Sequence, residues 1–298
     1  MTDFEAPLLP FIVCYPRSGS TLLRLLLDAH PDLAIPPETH LCQLFKEPYA
    51  TRDANADVRA NVLAAFVSAH RWHDLHLEET ELAERIMRVP DGAPARDAIA
   101  CLWELYANKA GKPRWGDKTP AHLGCVASIA AIFPRARFIH VVRDVRDVAC
   151  SMQASWFGQH RSLTDIAGEW ETRTRSFRQH ALLLEGRTTT VRYEDLVRET
   201  ERVVRSVCEF IELPFSAAQL SFFQRAAERI SELSDLQMGE AVASAQSRRQ
   251  IHQLTSSPPT SERIGLWRTK LTKSQVREIE VVTAGSLAHY GYEVTVAA

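Results

Sequence analysis

Three short runs of residues along the chain predict β-strands. The first, at residues 11–15, is continuously apolar and stops at Pro16, which is typical of a strand buried on both faces of a parallel sheet. The other two, at residues 137–142 and 188–193, are rich in β-branched residues. Such residues favour strands.

Helical periodicity fills much of the chain between these strands. A tight loop at residues 17–20 leads into a leucine-rich helix that is predicted to run from Thr21 to near His30. Further helices are predicted at residues 95–110, 123–133, 145–156, 162–184, 196–212, 217–230 and 273–290. Strands that alternate with helices indicate parallel βαβ units with right-handed crossovers, so the pattern predicts an α/β fold.

The 298 residues, 45% of them hydrophobic, suffice for one large α/β domain or two ordinary ones. We predict a single domain over residues 1–298 with a helical insertion near the site at about residues 46–89, where periodicity is helical and no strand pattern occurs. The stretch at about residues 241–262 is rich in Ser, Gln and Thr and contains two adjacent prolines. It predicts a long loop that acts as a mobile cover.

The overall charge argues against a surface built for nucleic acid or anionic membranes. Lys and Arg number 35 and Asp and Glu 37, a net charge of -2, so any anion site must be local. The six cysteines are too scattered for zinc ligands or a redox pair, which favours reduced thiols. An acidic start and a short, proline-broken apolar stretch at residues 7–15 predict a cytoplasmic protein without a membrane span.

The loop between the first strand and the leucine-rich helix has the chemistry of a phosphate site. Backbone N–H groups and the helix dipole favour an anion there. Gly19 permits close approach, Ser20 and Thr21 add hydroxyls, and Arg17 adds a charge that can hold two oxygens. An ordinary capped helix is the alternative interpretation. The loop lacks both the Gly-Lys-Ser/Thr ending of ATP-binding loops and the Gly-x-Gly-x-x-Gly dinucleotide fingerprint, so ATP and NAD are disfavoured.

Residues 15–23 closely resemble the 5′-phosphosulfate loop of the sulfotransferases that use 3′-phosphoadenosine 5′-phosphosulfate (PAPS). The longer stretch through position 39 resembles most the branch that includes the tyrosylprotein and bacterial sulfotransferases; cytosolic small-molecule members usually carry Lys at the position of Arg17. The resemblance implies a P-loop-like three-layer α/β/α fold with a central, mainly parallel sheet. It also implies PAPS as donor, 3′-phosphoadenosine 5′-phosphate (PAP) as product, and donor-binding roles for Arg17, Ser18, Gly19, Ser20, Thr21 and Leu22.

A second anion site is predicted after the second strand, at the carboxyl edge of the sheet, where open α/β sheets bind ligands. Arg143 and Ser151 resemble the Arg and Ser, eight residues apart, with which the family holds the 3′-phosphate. Alternatively, Arg143 and Arg146 pair with Asp144 and Asp147 at a solvated helix start.

The resemblance extends to two further nucleotide contacts. Tyr193, at the end of the third predicted strand, matches a nucleotide-contacting position, although it equally suits the core. Trp267 matches the glycine-tryptophan part of the family's C-terminal nucleotide-binding loop, or is a packing residue. The Arg-Lys-Gly that precedes this part in cytosolic members is absent, so the charge is left to Arg263, Arg268 or Lys270.

Sulfuryl transfer to an alcohol or phenol needs a base and cations that stabilise the leaving group. Glu38 resembles the catalytic base of tyrosylprotein sulfotransferases, and His40 and His30 are the alternatives. Lys118 resembles the lysine that contacts the sulfuryl and bridging oxygens; alternatively it forms a surface ion pair. We assign leaving-group stabilisation jointly to Arg17 and Lys118. A sulfuryl group carries less charge than a terminal phosphoryl group, so no metal is expected.

The acceptor stays open, because a small-molecule hydroxyl, a carbohydrate and a peptide tyrosine all suit this base. Trp72, His73 and His76 are candidates for lining the acceptor pocket, or they belong to an amphipathic helix. No motif indicates an oligomeric state. Two other functions compete with sulfuryl transfer: a P-loop-like kinase that uses ATP, and an inactive protein that binds anionic ligands through the same sites.

Overall fold

The computed structural model describes residues 8–42, 44–46, 49–238 and 241–295. Its central sheet is parallel, with the strand order β4-β1-β5-β6, and two small two-stranded sheets, β2-β3 and β7-β8, lie beside it. The strands are β1 Leu9–Cys14, β2 Leu33–Ala34, β3 Arg114–Trp115, β4 Asp117–Lys118, β5 Ala136–Val142, β6 Thr188–Arg192, β7 Leu236–Met238 and β8 Ala241–Ala243.

Helices directly follow β1, β5, β6 and β8. The helices are α1 Ser20–Asp28, α2 Ala56–Val67, α3 Glu79–Met87, α4 Ala95–Lys109, α5 Val126–Ile132, α6 Val145–Gln153, α7 Leu163–Leu183, α8 Tyr193–Arg198, α9 Thr200–Phe210, α10 Phe223–Ser231, α11 Ala245–Gln250, α12 Trp267–Lys270 and α13 Lys273–His289. Short 3₁₀ turns occupy Leu44–Lys46, Tyr49–Thr51, Trp72–Leu75, Pro120–Cys125, Ala217–Ser221 and Gln253–Ser256. No helix among the described residues is both long and apolar enough to cross a membrane.

Alternate side chains of β1 enter two different cores, which explains the continuous apolar run. Phe11 belongs to the core shared with α2, α4 and α5, whereas Ile12 belongs to the core shared with α1, α9 and α10. In the neighbouring strand β5, Phe138 and Ile139 divide in the same way. Helices therefore cover both faces of the sheet, and the predicted three-layer α/β/α fold is confirmed.

The fourth strand of the sheet is missing from the sequence prediction. Strand β4 holds only Asp117 and Lys118, so it presents charges rather than an apolar run. It pairs with β1 in parallel, with Ile12 opposite Lys118. This pairing places the lysine in the sheet, beside the start of the loop that follows β1.

Two predicted segments contain regular secondary structure, which in the first is helical as its pattern indicated. The predicted insertion, whose residues 47 and 48 lie outside the described residues, contains α2, α3 and the turn Trp72–Leu75. The predicted mobile loop begins as β8, which pairs antiparallel with β7, and continues through α11 and the turn Gln253–Ser256. Its mobility stays a prediction.

Candidate active site

The loop between β1 and α1, residues 15–19, is here termed the phosphate loop after its predicted ligand. Its backbone has a conformation at one position that only glycine accepts. Gly19 has φ 93°, and a Cβ placed on it would lie 2.4 Å from Cδ2 of Tyr193. The tyrosine ring therefore lies directly against the loop. Ser18 is fully buried, and its Oγ has no hydrogen-bond partner among the described residues. A buried hydroxyl without a partner fits a loop that holds a phosphate or sulfuryl oxygen.

Arg17 joins the loop to two other parts of the chain. Its Nε donates to Ser151 Oγ at 3.1 Å, and its Nη2 donates to the carbonyl oxygen of Ile251 at 3.4 Å. Burial, with further contributions from Arg143 and Arg263, lowers the pKa of Arg17 to about 10. A cation whose pKa is lowered by burial and by like charges is suited to an anionic ligand.

Arg143 lies at the carboxyl end of β5, and its side chain contacts the same loop. Its Nη1 donates to the carbonyl oxygen of Arg17 at 3.3 Å and its Nη2 to that of Arg263 at 2.6 Å. Its guanidinium lies 4.5 Å from the centre of the Tyr193 ring. The buried Nε has no partner among the described residues, which leaves a donor for a ligand. The structure thus brings together Arg17, Arg143, Ser151 and Tyr193.

The alternative pairing with acidic neighbours applies to Arg146 more than to Arg143. Arg146 binds Asp144 through Nε at 2.9 Å and Nη2 at 2.7 Å, and it also binds Glu280. Arg143 lies 3.9 Å from Asp147, which accepts shorter backbone hydrogen bonds from the C-terminal loop. Arg146 is therefore a structural residue.

The three basic candidates of the C-terminal loop, Arg263, Arg268 and Lys270, have different surroundings. Trp267 is buried, and its ring centre lies 3.9 Å from the guanidinium of Arg146 and 4.4 Å from that of Arg268. Arg268 is exposed and pairs with Glu293 at 2.7 Å, and Lys270 is exposed.

Arg263 is also exposed, but it belongs to the same site. Its backbone carbonyl accepts from Arg143 Nη2 at 2.6 Å, and its charge acts on both Arg17 and Tyr193.

Glu38 and Lys118 form the centre of the site. Lys118 Nζ lies 2.5 Å from Glu38 Oε1 and 3.5 Å from the hydroxyl of Thr21 at the start of α1. The lysine is only 3% exposed. The alternative interpretation, in which Lys118 forms a surface ion pair, is therefore wrong. The base candidate, the lysine candidate and the phosphate loop are thus adjacent.

The neighbours of this pair are held together by a buried polar network. Thr39 Oγ1 donates to Asp117 Oδ2 at 2.8 Å, and the backbone N–H of Thr39 donates to Thr119 Oγ1 at 3.0 Å. Asp117 also accepts from Trp103 Nε1 at 3.2 Å and from His122 Nδ1 at 2.9 Å. Because these bonds connect the residues that follow Glu38 and flank Lys118, they fix the spacing of the pair.

Positive groups surround the carboxylate of Glu38. His40 Nε2 donates to Glu38 Oε2 at 2.9 Å, and Arg71 Nη2 lies 3.5 Å from the same oxygen. Burial alone would raise the pKa of Glu38, but Lys118, Arg71 and His40 together hold it well below its usual range. The carboxylate is therefore ionised at physiological pH.

The other sequence candidates lie in different surroundings. Both ring nitrogens of His30 are bonded to backbone groups, at the carbonyl of Pro214 and the N–H of Asp32. Trp72 is buried in a core, and His76 bonds the backbone carbonyl of Glu232. His73 is exposed.

Sequence reasoning missed two residues of the site. Arg71 reaches Glu38 from the predicted insertion, and His252 lies among the charges of Lys118, Arg17 and Glu38. Neither residue belongs to a recognisable motif, and both are far from Glu38 in sequence. Their types, a basic and an imidazole side chain in variable segments, were the only available signal.

The family model described as "Sulfotransferase family" matches residues 10–217. The chain belongs to the sulfotransferase family. Protein-tyrosine sulfotransferase 1 of Danio rerio is 26% identical to this sulfotransferase over 295 residues, which cover 97% of this chain and 73% of the relative.

Solved structures show the same fold. The sulfotransferase domain from the curacin biosynthetic pathway matches with a TM-score of 0.63 and 21% identity, covering 97% of this chain and 99% of that one. Mouse sulfotransferase SULT7A1 complexed with PAP matches with a TM-score of 0.50 and 13% identity, covering 97% and 88%.

Proposed function

We propose that this sulfotransferase moves a sulfuryl group from PAPS to an acceptor hydroxyl, with Glu38 as the base. The observation that carries the proposal is the contact between Glu38 and Lys118 directly beside the phosphate loop. A base, a leaving-group cation and an anion cradle are the groups that this transfer needs. Membership of the family and the PAP in the mouse structure support PAPS as the donor.

The described residues fit the two phosphate ends of such a donor. The loop from Arg17 to Leu22, with the free hydroxyl of Ser18, would hold the 5′-phosphosulfate. Arg143, through its free Nε, and Ser151 would hold the 3′-phosphate. Bound PAPS supplies the sulfuryl group and a phosphate leaving group.

The chain's own side chains then perform the proton and charge steps. Glu38 accepts the proton of the acceptor hydroxyl while the bond from that oxygen to sulfur forms. On the opposite side of the sulfur, Lys118 and Arg17 stabilise the negative charge that the bridging oxygen gains as its bond to sulfur breaks. The products are the sulfate ester and PAP, and Glu38 later returns its proton to water. This is an in-line displacement in which two side-chain cations supply the positive charge that stabilises the leaving group.

Lys118 connects the two steps because it contacts both partners of the reaction. While it pairs with Glu38, it lowers the basicity of that carboxylate. When it turns to the bridging oxygen, Glu38 loses its closest cation and its basicity rises. Glu38 therefore becomes more basic at the moment when Lys118 stabilises the leaving group.

The acceptor would approach Glu38 from the side of His40 and Arg71, which contact the carboxylate from outside the phosphate loop. A small-molecule hydroxyl, a carbohydrate or a peptide tyrosine is compatible with a carboxylate base. The name of the Danio rerio relative favours including tyrosine peptides in the first acceptor screen.

The experiment is a calorimetric titration with PAP, ATP and AMP without magnesium. We expect micromolar binding of PAP alone, weakened at least about tenfold by Arg143→Ala, because charge-assisted bonds to phosphate are lost. Arg268→Ala, which removes an exposed arginine paired with Glu293, is the matched control and should bind like the unmodified chain. A preference for ATP would replace the proposal with a kinase, and no binding of any ligand would overturn it.

A further inference from the structure

Residues 244–256, here termed the cover segment, are fastened to the helical region after α2 by a buried ion pair. Arg248 and Asp74 are each 2% exposed. Arg248 Nη1 donates to Asp74 Oδ1 at 2.9 Å, and its Nη2 contacts Oδ2 in a two-point pair. Ser234 completes the junction, since its N–H donates to Asp74 Oδ1 at 2.9 Å and its carbonyl accepts from Arg248.

Three residues after Arg248, the cover segment reaches the phosphate loop. The carbonyl oxygen of Ile251 accepts from Arg17 Nη2 at 3.4 Å. The backbone of the next residue, His252, is fixed by Thr255, whose N–H and Oγ1 donate to the His252 carbonyl at 2.9 and 2.7 Å. The segment is thus held at Arg248 and at Ile251, and His252 directly follows the residue that contacts Arg17.

The imidazole of His252 has no hydrogen bond to any described residue. The charged groups around it are Lys118, Arg17, Glu38 and Arg24. Burial, followed by Lys118 and Arg17, lowers the pKa of His252 to about 3. The ring is therefore neutral at physiological pH, with one N–H donor and one acceptor nitrogen.

We propose that His252 is a further catalytic residue, whose neutral imidazole donates a hydrogen bond to the transferred sulfuryl group, and that Arg248 positions it through Asp74. The inference rests on the proposed function. The preceding residue, Ile251, accepts a hydrogen bond from Arg17, one of the two cations assigned to the sulfuryl side, and this placement selects the sulfuryl oxygens as the target. A neutral donor there adds a hydrogen bond without adding to a crowded cluster of cations. A ring that stays neutral in such a cluster is a poor proton acceptor, so the role of base is left to Glu38.

The test measures release of sulfate from radiolabelled PAPS with water as the acceptor, so that no acceptor needs to be known. His252→Leu removes the donor, whereas His252→Asn retains a neutral N–H. We expect kcat to fall about 100-fold in His252→Leu and only a few-fold in His252→Asn, because an oriented donor in a transfer site is worth about that much. The KM for PAPS should change by no more than about twofold. Gln253→Ala, an exposed change in the same segment, is the control.

The role of Arg248 is tested through its coupling to His252. If Arg248 acts by placing the imidazole, Arg248→Met should lower kcat, and the double variant with His252→Leu should be no slower than His252→Leu alone. Arg248→Lys should recover part of the loss. Losses that multiply in the double variant would overturn the positioning role. The His252 variants remain decisive if Arg248→Met fails to fold.

Three results separate the possible failures. Unchanged kcat in His252→Leu, with sulfate release intact in the unmodified chain, overturns the role of His252 and leaves sulfuryl transfer standing. An acid limb of the pH-rate profile that disappears in His252→Asn would show that the imidazole titrates as a base, against the proposal. No sulfate release together with no calorimetric binding of PAP by the unmodified chain would overturn both proposals.

Discussion

Lys118 Nζ and Glu38 Oε1 lie 2.5 Å apart, although 80 positions separate the two residues in the chain. The contact exists because β4 carries Lys118 into the sheet beside β1, and because Thr39 bonds Asp117 and Thr119 on either side of the lysine. Lys118 is thus held by the sheet, and Glu38, which lies in an irregular segment, is held beside it by the bonds of Thr39. Such preorganisation is what lets electrostatic groups accelerate a transfer reaction.

Lys118→Ala is expected to affect catalysis far more than folding. Without the ammonium group kcat should fall about 100- to 1,000-fold. Because Arg71 and His40 still contact Glu38, the free energy of unfolding should fall by only about 2 kcal/mol. Single-turnover transfer rates and urea unfolding measure the two quantities. Lys109→Ala, which removes a surface ion pair with Glu81, is the control, and a Lys118→Ala protein with normal turnover would contradict the assignment.

Gly19→Ala should damage both the donor site and the fold. The residue has φ 93°, and its new Cβ would meet the ring of Tyr193 at 2.4 Å. We expect the free energy of unfolding to fall by about 1–3 kcal/mol and PAP binding to be lost. Gly111→Ala is a matched control, because Gly111 also has a positive φ, of 67°, but has open space at its Cβ position. If both variants lose equal stability and still bind PAP, the contact with Tyr193 is not what requires glycine.

Asp147→Ala is expected to weaken donor binding without touching the donor. The carboxylate accepts from the N–H groups of Gly265 at 2.7 Å and Trp267 at 3.0 Å, and so holds the loop that carries Arg263. Releasing this loop should raise the Kd for PAP about tenfold, which corresponds to about 1.4 kcal/mol. Calorimetry on Asp147→Ala and Asp147→Asn measures the effect, and unchanged affinity in both would show that the loop does not contribute to the site.

His140 makes the protein sensitive to acid. It is buried on β5 against Phe177, and burial, followed by Arg178, lowers its pKa to about 3 from 6.5. Below pH 6.5 the unfolded chain takes up a proton at this residue that the folded chain refuses. Stability therefore falls as the pH drops from 6.5 towards 3, by about 1 kcal/mol per pH unit.

The measurement is the melting temperature of His140→Leu between pH 7 and 4. Its decline with acid should be shallower than that of the unmodified chain. His73→Asn, a change at an exposed histidine, should leave the decline as it is. Parallel curves for all three proteins would rule out His140 as the source.

The three long strands β1, β5 and β6 and the phosphate loop were predictable because their signals are local. An apolar run that ends before Arg17 and a glycine before a leucine-rich helix need no distant information. Strand β4 was missed, since two charged residues become a strand only when β1 offers backbone partners beside them. The prediction at residues 196–212 likewise missed the break at Glu199, which separates α8 from α9.

Site residues outside the family motifs were not predictable in the same way. The sequence left Arg263, Arg268 and Lys270 equivalent, and only tertiary packing separates them, by pairing Arg268 with Glu293 and placing the charge of Arg263 near Arg17. Arg71 and His252 come from segments without a motif. Their proximity to Glu38 depends on contacts across the chain, including the ion pair between Arg248 and Asp74.

The contacts around α6 join residues that are far apart in the sequence. This separation also determines when the site is completed during folding. Asp147 bonds backbone groups that are 118 and 120 positions further along, and Arg146 bonds Glu280 across 134 positions. Pairings of such high sequence separation form late, and during synthesis they must wait for the last part of the domain to leave the ribosome. A nascent chain that ends before Gly265 can already contain β1 and its phosphate loop. The proposed donor site is therefore complete only after residues 265–280 have been made, and a bound donor would stabilise only chains that contain them.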